Sequence, residues 1–117
     1  MKSVCLYVGI LIALLSTTRT VALSQEKIPA PAKVLLENER VRVNETRVKP
    51  GQKNEMKMRD DRVTVPMTNA KFRFYYPDGK TEDVEYKTGN PIFRKKGISQ
   101  AENVGTTESH SLIINLK

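Results

Sequence analysis

Lys57 and Arg59 stand two residues apart in Lys57-Met58-Arg59. On an extended strand that spacing puts both side chains on one face. A lysine–arginine pair turned inward needs a counter-charge, because burying an unpaired cation is costly. Asp61 has the same parity and could supply it. A small bound anion could do so as well, and arginine's fork suits a carboxylate, a sugar acid or a phosphate. The alternative reads Asp60-Asp61 as a turn that resets the register. Met56 and Met58 then pack inward, and Lys57 and Arg59 are solvated. His110, the one histidine, has the parity of Leu112, Ile114 and Leu116, which puts it at the rim of a core. No Ser–His–Asp or Cys–His set can be assembled around it from sequence alone, so no catalytic residue is assigned. Acid–base chemistry would have to draw on Lys57, His110 and the tyrosines Tyr75, Tyr76 and Tyr86. Glu102 and Asn103 read as turn residues, with general-acid work by Glu102 the lesser reading. Arg94-Lys95-Lys96 reads as a solvated loop.

Composition narrows the chemistry further. The chain has 117 residues, with 20 Lys+Arg against 13 Asp+Glu and a formal net charge of +7. One cysteine excludes an intramolecular disulfide and a cysteine-based zinc site, and one histidine excludes a multi-histidine metal site. At 38% apolar and 28% charged residues, the mixture is that of one small folded domain. Nucleic-acid binding is not expected, because aromatic residues are few and the basic residues are spread among acids. No amphipathic helix offers itself to a membrane surface.

Residues 1–24 do not read as fold. Met1-Lys2-Ser3 is basic, Val4 to Leu15 is uncharged and apolar, and the stretch to Ala22-Leu23-Ser24 is small and polar. That order is the layout of a secretory signal peptide. Cleavage after Ser24 is the first expectation and after Ala22 the second. The apolar run falls short of the ~20 residues that span a bilayer. Cys5 would leave with the peptide, and a cysteine-free exported domain suits a bacterial periplasm or exterior. Asn44-Glu45-Thr46 matches a glycosylation sequon, a weak signal that matters only in a eukaryote.

Residues 25–33, with Pro29 and Pro31, read as an extended leader, and 34–117 as the folded domain. Turn signals recur at Pro50-Gly51, Pro77-Asp78-Gly79, Thr88-Gly89-Asn90, Lys96-Gly97 and Val104-Gly105. Between them apolar and polar residues alternate: Val41 and Val43, Val63 and Val65, Phe72 and Phe74, Val84 and Tyr86, Leu112 and Ile114. Period two without a helical period predicts an all-β, antiparallel barrel or jelly roll with one face of each strand inward. Pro66 predicts an edge or a bulge, since proline donates no ladder hydrogen bond. Tyr76-Pro77-Asp78-Gly79-Lys80 predicts a hairpin.

The ordered set of Val34 to Val43, Val48-Lys49-Pro50-Gly51, Phe74 to Gly79, Gly89, Gly97, Ala101 to Gly105 and Ser109 to Lys117 resembles the small single-domain cupin family. The resemblance implies a small cupin-like barrel over nearly the whole domain. It also implies where metal ligands would lie. The first motif's two histidine positions fall on Lys57 and Arg59, and its glutamate near Val63 or Thr64. In the second motif Gly89 leads to Lys95-Lys96-Gly97, and the histidine position falls on Gln100, or on Ser99 with one residue fewer. Asn103 fits the motif's asparagine only with the shorter spacing. Lysine and arginine offer a metal no lone pair at neutral pH. The resemblance therefore carries the fold and withdraws the metal-dependent dioxygenase and isomerase chemistry, so no metal or other cofactor is expected. Three functions remain. The first is an exported, non-enzymatic domain that binds a small anionic ligand, through Lys57 and Arg59, or a protein partner. The second is a metal-free isomerase- or epimerase-like enzyme. The third is a structural domain that forms a homodimer.

Intact-mass analysis of exported protein should find a chain that begins near Gln25. Recovery of Met1 on exported material would rule out cleavage.

Overall fold

The computed structural model describes residues 27–117, so the signal-peptide reading of residues 1–24 lies outside it. The strands among the described residues are β1 (Lys33–Glu37), β2 (Val41–Val48), β3 (Lys57–Arg59), β4 (Arg62–Pro66), β5 (Ala70–Tyr75), β6 (Thr81–Tyr86), β7 (Ile92–Arg94), β8 (Gly97–Asn103) and β9 (Ser109–Leu116). They form a five-stranded sheet in the order β1-β2-β9-β4-β7 and a four-stranded sheet in the order β3-β8-β5-β6. Pairing is antiparallel throughout. The two sheets close on each other as an all-β jelly roll, as the period-two alternation predicts.

The turns follow the chemistry of their residues. In the β5–β6 hairpin the Gly79 N–H donates to the Tyr76 carbonyl and the Tyr76 N–H to the Lys80 carbonyl, both at 3.0 Å. Gly79 has φ +85°, a conformation in which a Cβ would be strained. Pro66 ends β4 opposite Ser111, beyond the stretch that β7 pairs, so its missing N–H costs no ladder bond on that side.

The alternation, however, faces the opposite way from the simplest expectation in the larger sheet. On β4 the buried residues are Arg62, Thr64 and Pro66, while Val63 and Val65 lie on the other side, only half-buried. On β9, Ser109, Ser111 and Asn115 are buried. The apolar half of this sheet therefore faces out and its polar half faces in. His110 lies not at the rim of a core but on this outer face, where Nε2 meets Glu45 Oε2 at 2.9 Å. Lys57 and Arg59 do not continue into the strand of Val63 and Val65. Asp60-Asp61 separates β3 from β4, and the two strands lie in different sheets. The Asp61 carboxylate, a candidate counter-charge, accepts the Lys96 N–H at 2.7 Å instead.

The apolar core belongs to the smaller sheet. Ala70, Phe72, Phe74 and Tyr86 are buried, with Val48, Val84, Ile92 and Ala101 against them. The Phe72 and Tyr86 rings lie 5.1 Å apart.

Such a thin core leans on polar ties. Asn103, expected in a turn, is the last residue of β8 and is 0% exposed. Its Nδ2 donates to the carbonyls of Val48, at 2.8 Å, and Thr107, at 3.0 Å. Its Oδ1 accepts the Gly105 N–H at 3.0 Å. One side chain thus joins the end of β2 in the larger sheet to the β8–β9 turn. Glu102, also expected in a turn, lies within β8 and accepts the Tyr75 hydroxyl.

Asn103→Ala strands those buried groups and should cost about 2–4 kcal/mol, read as a lower midpoint in urea at unchanged slope. A loss below about 0.5 kcal/mol would mean that solvent replaces the amide.

Candidate functional site: an arginine-lined barrel interior

The polar inner side of the larger sheet faces the aromatic wall of the smaller one across an open cavity of about 1120 Å³. β2 contributes Arg42, Asn44 and Thr46; β4 contributes Arg62 and Thr64; β9 contributes Ser109, Ser111, Ile113 and Asn115. Phe72, Phe74 and Tyr86 form the opposite wall. Residues 27–32 run along the mouth, held by the Lys53 N–H on the Lys27 carbonyl at 3.1 Å and by Gln52 Nε2 on the Ile28 carbonyl at 3.3 Å.

Cations line this interior, and Arg94 lies in a neighbouring pocket that shares Arg62. Arg62 is 8% exposed, and a guanidinium nitrogen donates to the Asp60 carbonyl at 3.1 Å. Burial, and then the charges of Arg94 and Arg59, make its protonated form harder to hold than usual. Arg59 donates to the Glu55 carbonyl at 2.7 Å, and burial lowers its pKa too, against the pull of Glu55. Arg94 is the compensated member. It donates to Glu82 at 2.9 Å and to the Tyr76 hydroxyl at 2.8 Å, and its guanidinium carbon lies 4.2 Å from the Phe74 ring centroid. Burial pushes its pKa down, but Glu82, Tyr76 and Tyr86 together outweigh that and the net shift is upward.

Other groups in the cavity lack partners. Arg42 Nε, Asn44 Oδ1 and Ser111 Oγ are buried and make no hydrogen bond. All of these residues line the same space. Buried polar atoms are nearly always satisfied, so orphans gathered around one cavity point to something that enters it.

The residues singled out in the sequence separate under this geometry. Arg59 reaches the cavity and is half-buried. Lys57 lies at its margin, exposed, with Nζ 3.5 Å from Glu55 Oε1. His110 is held by Glu45 outside, and Tyr75 by Glu102 on the side of β5 turned away from Phe72 and Phe74. Tyr86 is in the aromatic core, where burial chiefly raises its pKa. Lys57, His110 and the tyrosines therefore do not assemble into an acid–base pair. Arg42, Asn44, Arg62, Thr64, Ser111 and Asn115 were not singled out in the sequence. Their only signal is that they form the polar half of the alternating strands.

A divalent metal does not fit the positions where the resemblance implies one. Lys57 pairs with Ser99 across β3 and β8, Thr64 is buried on β4, and Gln100 Nε2 is spent on the Asn54 carbonyl at 2.7 Å. Cationic and hydroxyl groups replace the imidazoles and carboxylate that such a metal needs. Among the described residues no group of three His, Cys, Asp or Glu is placed to hold a metal ion.

Solved structures with the same architecture are those of cupins. A cupin domain from Bordetella pertussis Tohama I matches with a TM-score of 0.70 and 29% identity, over 78% of this chain and 96% of that one. An RmlC-like cupin family protein with a double-stranded β-helix fold from Methanocaldococcus jannaschii matches with a TM-score of 0.59 and 14% identity, over 77% and 81%. A cupin-2 domain containing protein from Shewanella frigidimarina matches with a TM-score of 0.55 and 14% identity, over 84% and 91%. No family model and no curated protein sequence matches the chain. The chain has the fold of the small single-domain cupins.

Arg62→Met should stabilise the empty barrel by about 1–2 kcal/mol, because a buried cation facing others gives way to an apolar side chain of similar length. Thermal unfolding at low ionic strength measures it, and added salt should narrow the gap. A lower midpoint in Arg62→Met would mean that the Asp60 contact outweighs the repulsion.

Proposed function

We propose that this cupin is an exported, metal-free binding module for a small organic anion. The reading rests on one observation above others: buried Arg62 and the unpartnered Arg42 Nε, Asn44 Oδ1 and Ser111 Oγ all line one cavity. An anion entering there meets Arg59 and Arg62, whose mutual repulsion it relieves. A carboxylate or phosphate accepts from the guanidinium groups in a forked geometry. Asn44 Oδ1 accepts a hydroxyl from the ligand, and Ser111 Oγ can donate or accept. The aromatic wall covers its less polar side. Arg62, at 8% exposure, is less screened than a surface cation, so its attraction for an anion is stronger there. Lys57, at the margin, assists as an exposed cation and contributes less than Arg59. Export is supported by the basic, apolar and small-residue order of residues 1–24. An enzymatic reading has less support, since no acid–base pair is assembled in the cavity.

Thermal-shift screening against carboxylates, sugar acids and phosphates, followed by titration calorimetry, tests the proposal. Arg59→Ala and Arg62→Ala should each weaken binding by roughly ten- to a hundredfold, or about 1.5–3 kcal/mol. Arg59→Lys should recover only part of the loss, because a point charge does not reproduce the fork. Lys80→Ala, in the β5–β6 turn, should change nothing. Equal losses at Lys80 and Arg59 would assign the attraction to diffuse surface charge. Undiminished binding in both alanine variants would remove the cavity from the account.

A further inference from the structure

Arg62 and Arg94 stand directly opposite each other on β4 and β7. Like charges paired across two strands destabilise a sheet. On its other side Arg62 faces Asn115, and Asn115 faces Arg42, so three arginines follow one row of the sheet. Arg42 and Arg62 line the large cavity, whereas Arg94 lines a second pocket, of about 430 Å³, between the β5–β6 hairpin and the β7–β8 turn. Arg62, Arg94, Lys95 and Lys96 bring cations to this pocket, and Glu82 takes Arg94 at 2.9 Å. Counting also Asp61, which accepts the Lys96 N–H at 2.7 Å, positive charge remains in excess by two. Among the described residues neither lysine ammonium forms an ion pair. Arg94 is fixed in place: its side chain is 14% exposed, bonded to the Tyr76 hydroxyl and set over the Phe74 ring. A guanidinium held in that way loses little further freedom when it binds. Phe93 and Ile98, both exposed, give the pocket an apolar side.

We propose that this pocket is a second anion site, built for a phosphate monoester. A doubly charged phosphate matches the excess of two positive charges, and its terminal oxygens accept from arginines on the strands and lysines on the turn. A monocarboxylate would leave half of that charge unmatched. The organic group of the ester lies against Phe93 and Ile98. An anion held between Arg62 and Arg94 also relieves the repulsion between those two side chains. The site does not rest on the anion reading of the larger cavity. Arg62 is the residue common to both, and Arg94, Lys95 and Lys96 line this pocket alone.

Phenyl phosphate is the probe, titrated by calorimetry into the Arg59→Ala chain, which weakens the larger cavity and leaves this pocket untouched. One molecule per chain is expected, and benzoate should bind at least about tenfold more weakly. Adding Lys95→Ala and Lys96→Ala alters only exposed side chains and should weaken phenyl phosphate at least about tenfold. Arg94→Lys keeps the charge but loses the fork, and should weaken it several-fold. Lys33→Ala, on β1 at the opposite edge of the larger sheet, should leave the affinity as it was. No binding at millimolar phenyl phosphate overturns the proposal, and so does binding undiminished by the two lysine changes. A loss in Lys33→Ala equal to theirs assigns the attraction to diffuse surface charge and overturns it as well. Because Arg59 lies outside this pocket, each of these failures leaves the reading of the larger cavity standing.

Discussion

The larger sheet turns its polar side toward its partner sheet, and most properties of this domain depend on that orientation. Arg62 and Thr64, not Val63 and Val65, occupy the interior, and the same holds for Ser111 and Asn115 against Leu112 and Ile114. A dry, close-packed interior cannot form between a wall of guanidinium, amide and hydroxyl groups and a wall of aromatic rings. The space stays open, and its orphaned polar atoms gather on one wall. The valines, leucines and isoleucines displaced from the interior form an apolar field outside. The polar interior and the apolar exterior are two sides of the same strands.

Little apolar burial is then left to hold the fold. Ala70, Phe72, Phe74 and Tyr86 form a core on one wall only. Directed hydrogen bonds make up part of the difference. Asn103 joins β2 to the β8–β9 turn, and Asn54 fixes the β2–β3 loop to Ala101 through its side chain at 2.8 Å and its backbone at 3.0 Å. Such ties fix geometry more sharply than apolar contact does, because each has a direction as well as a distance. The loop they hold leads to β3 and Arg59, so the cavity's cationic margin is positioned by amides rather than by packing.

At the positions where the resemblance implies metal ligands, the side chains differ in chemistry as well. Replacing imidazoles by lysine and arginine exchanges lone-pair donors for cations, which repel a metal and attract an anion. The acid–base candidates are dispersed by the topology. His110 is held by Glu45 outside, Tyr75 by Glu102, and Tyr76 is tied into the Glu82–Arg94 contact. Of the residues that line the cavity, Arg42, Arg59 and Arg62 bring cations, and Asn44, Thr64 and Ser111 bring amide and hydroxyl groups.

Alternation of side-chain character along the chain, with glycine and proline at the turns, determined an all-β antiparallel domain. The β5–β6 hairpin was legible for local reasons: proline presets one backbone angle, and glycine takes the positive φ that the turn requires. Arg59 was legible as a cavity cation from its spacing with Lys57 on an extended strand and from the spacing of a family motif. Period two says that the two faces of a strand differ, but not which face turns inward. Tertiary structure alone decided that, because it depends on which strands stack across the barrel. The Phe72–Phe74 wall supplies the apolar half of the interior, leaving Arg42, Asn44 and Arg62 to line the other half. Asn103 was misread as a turn residue for the same reason. Its partners, Val48 and Thr107, become neighbours only when the sheets close, and no local pattern in the sequence records that meeting.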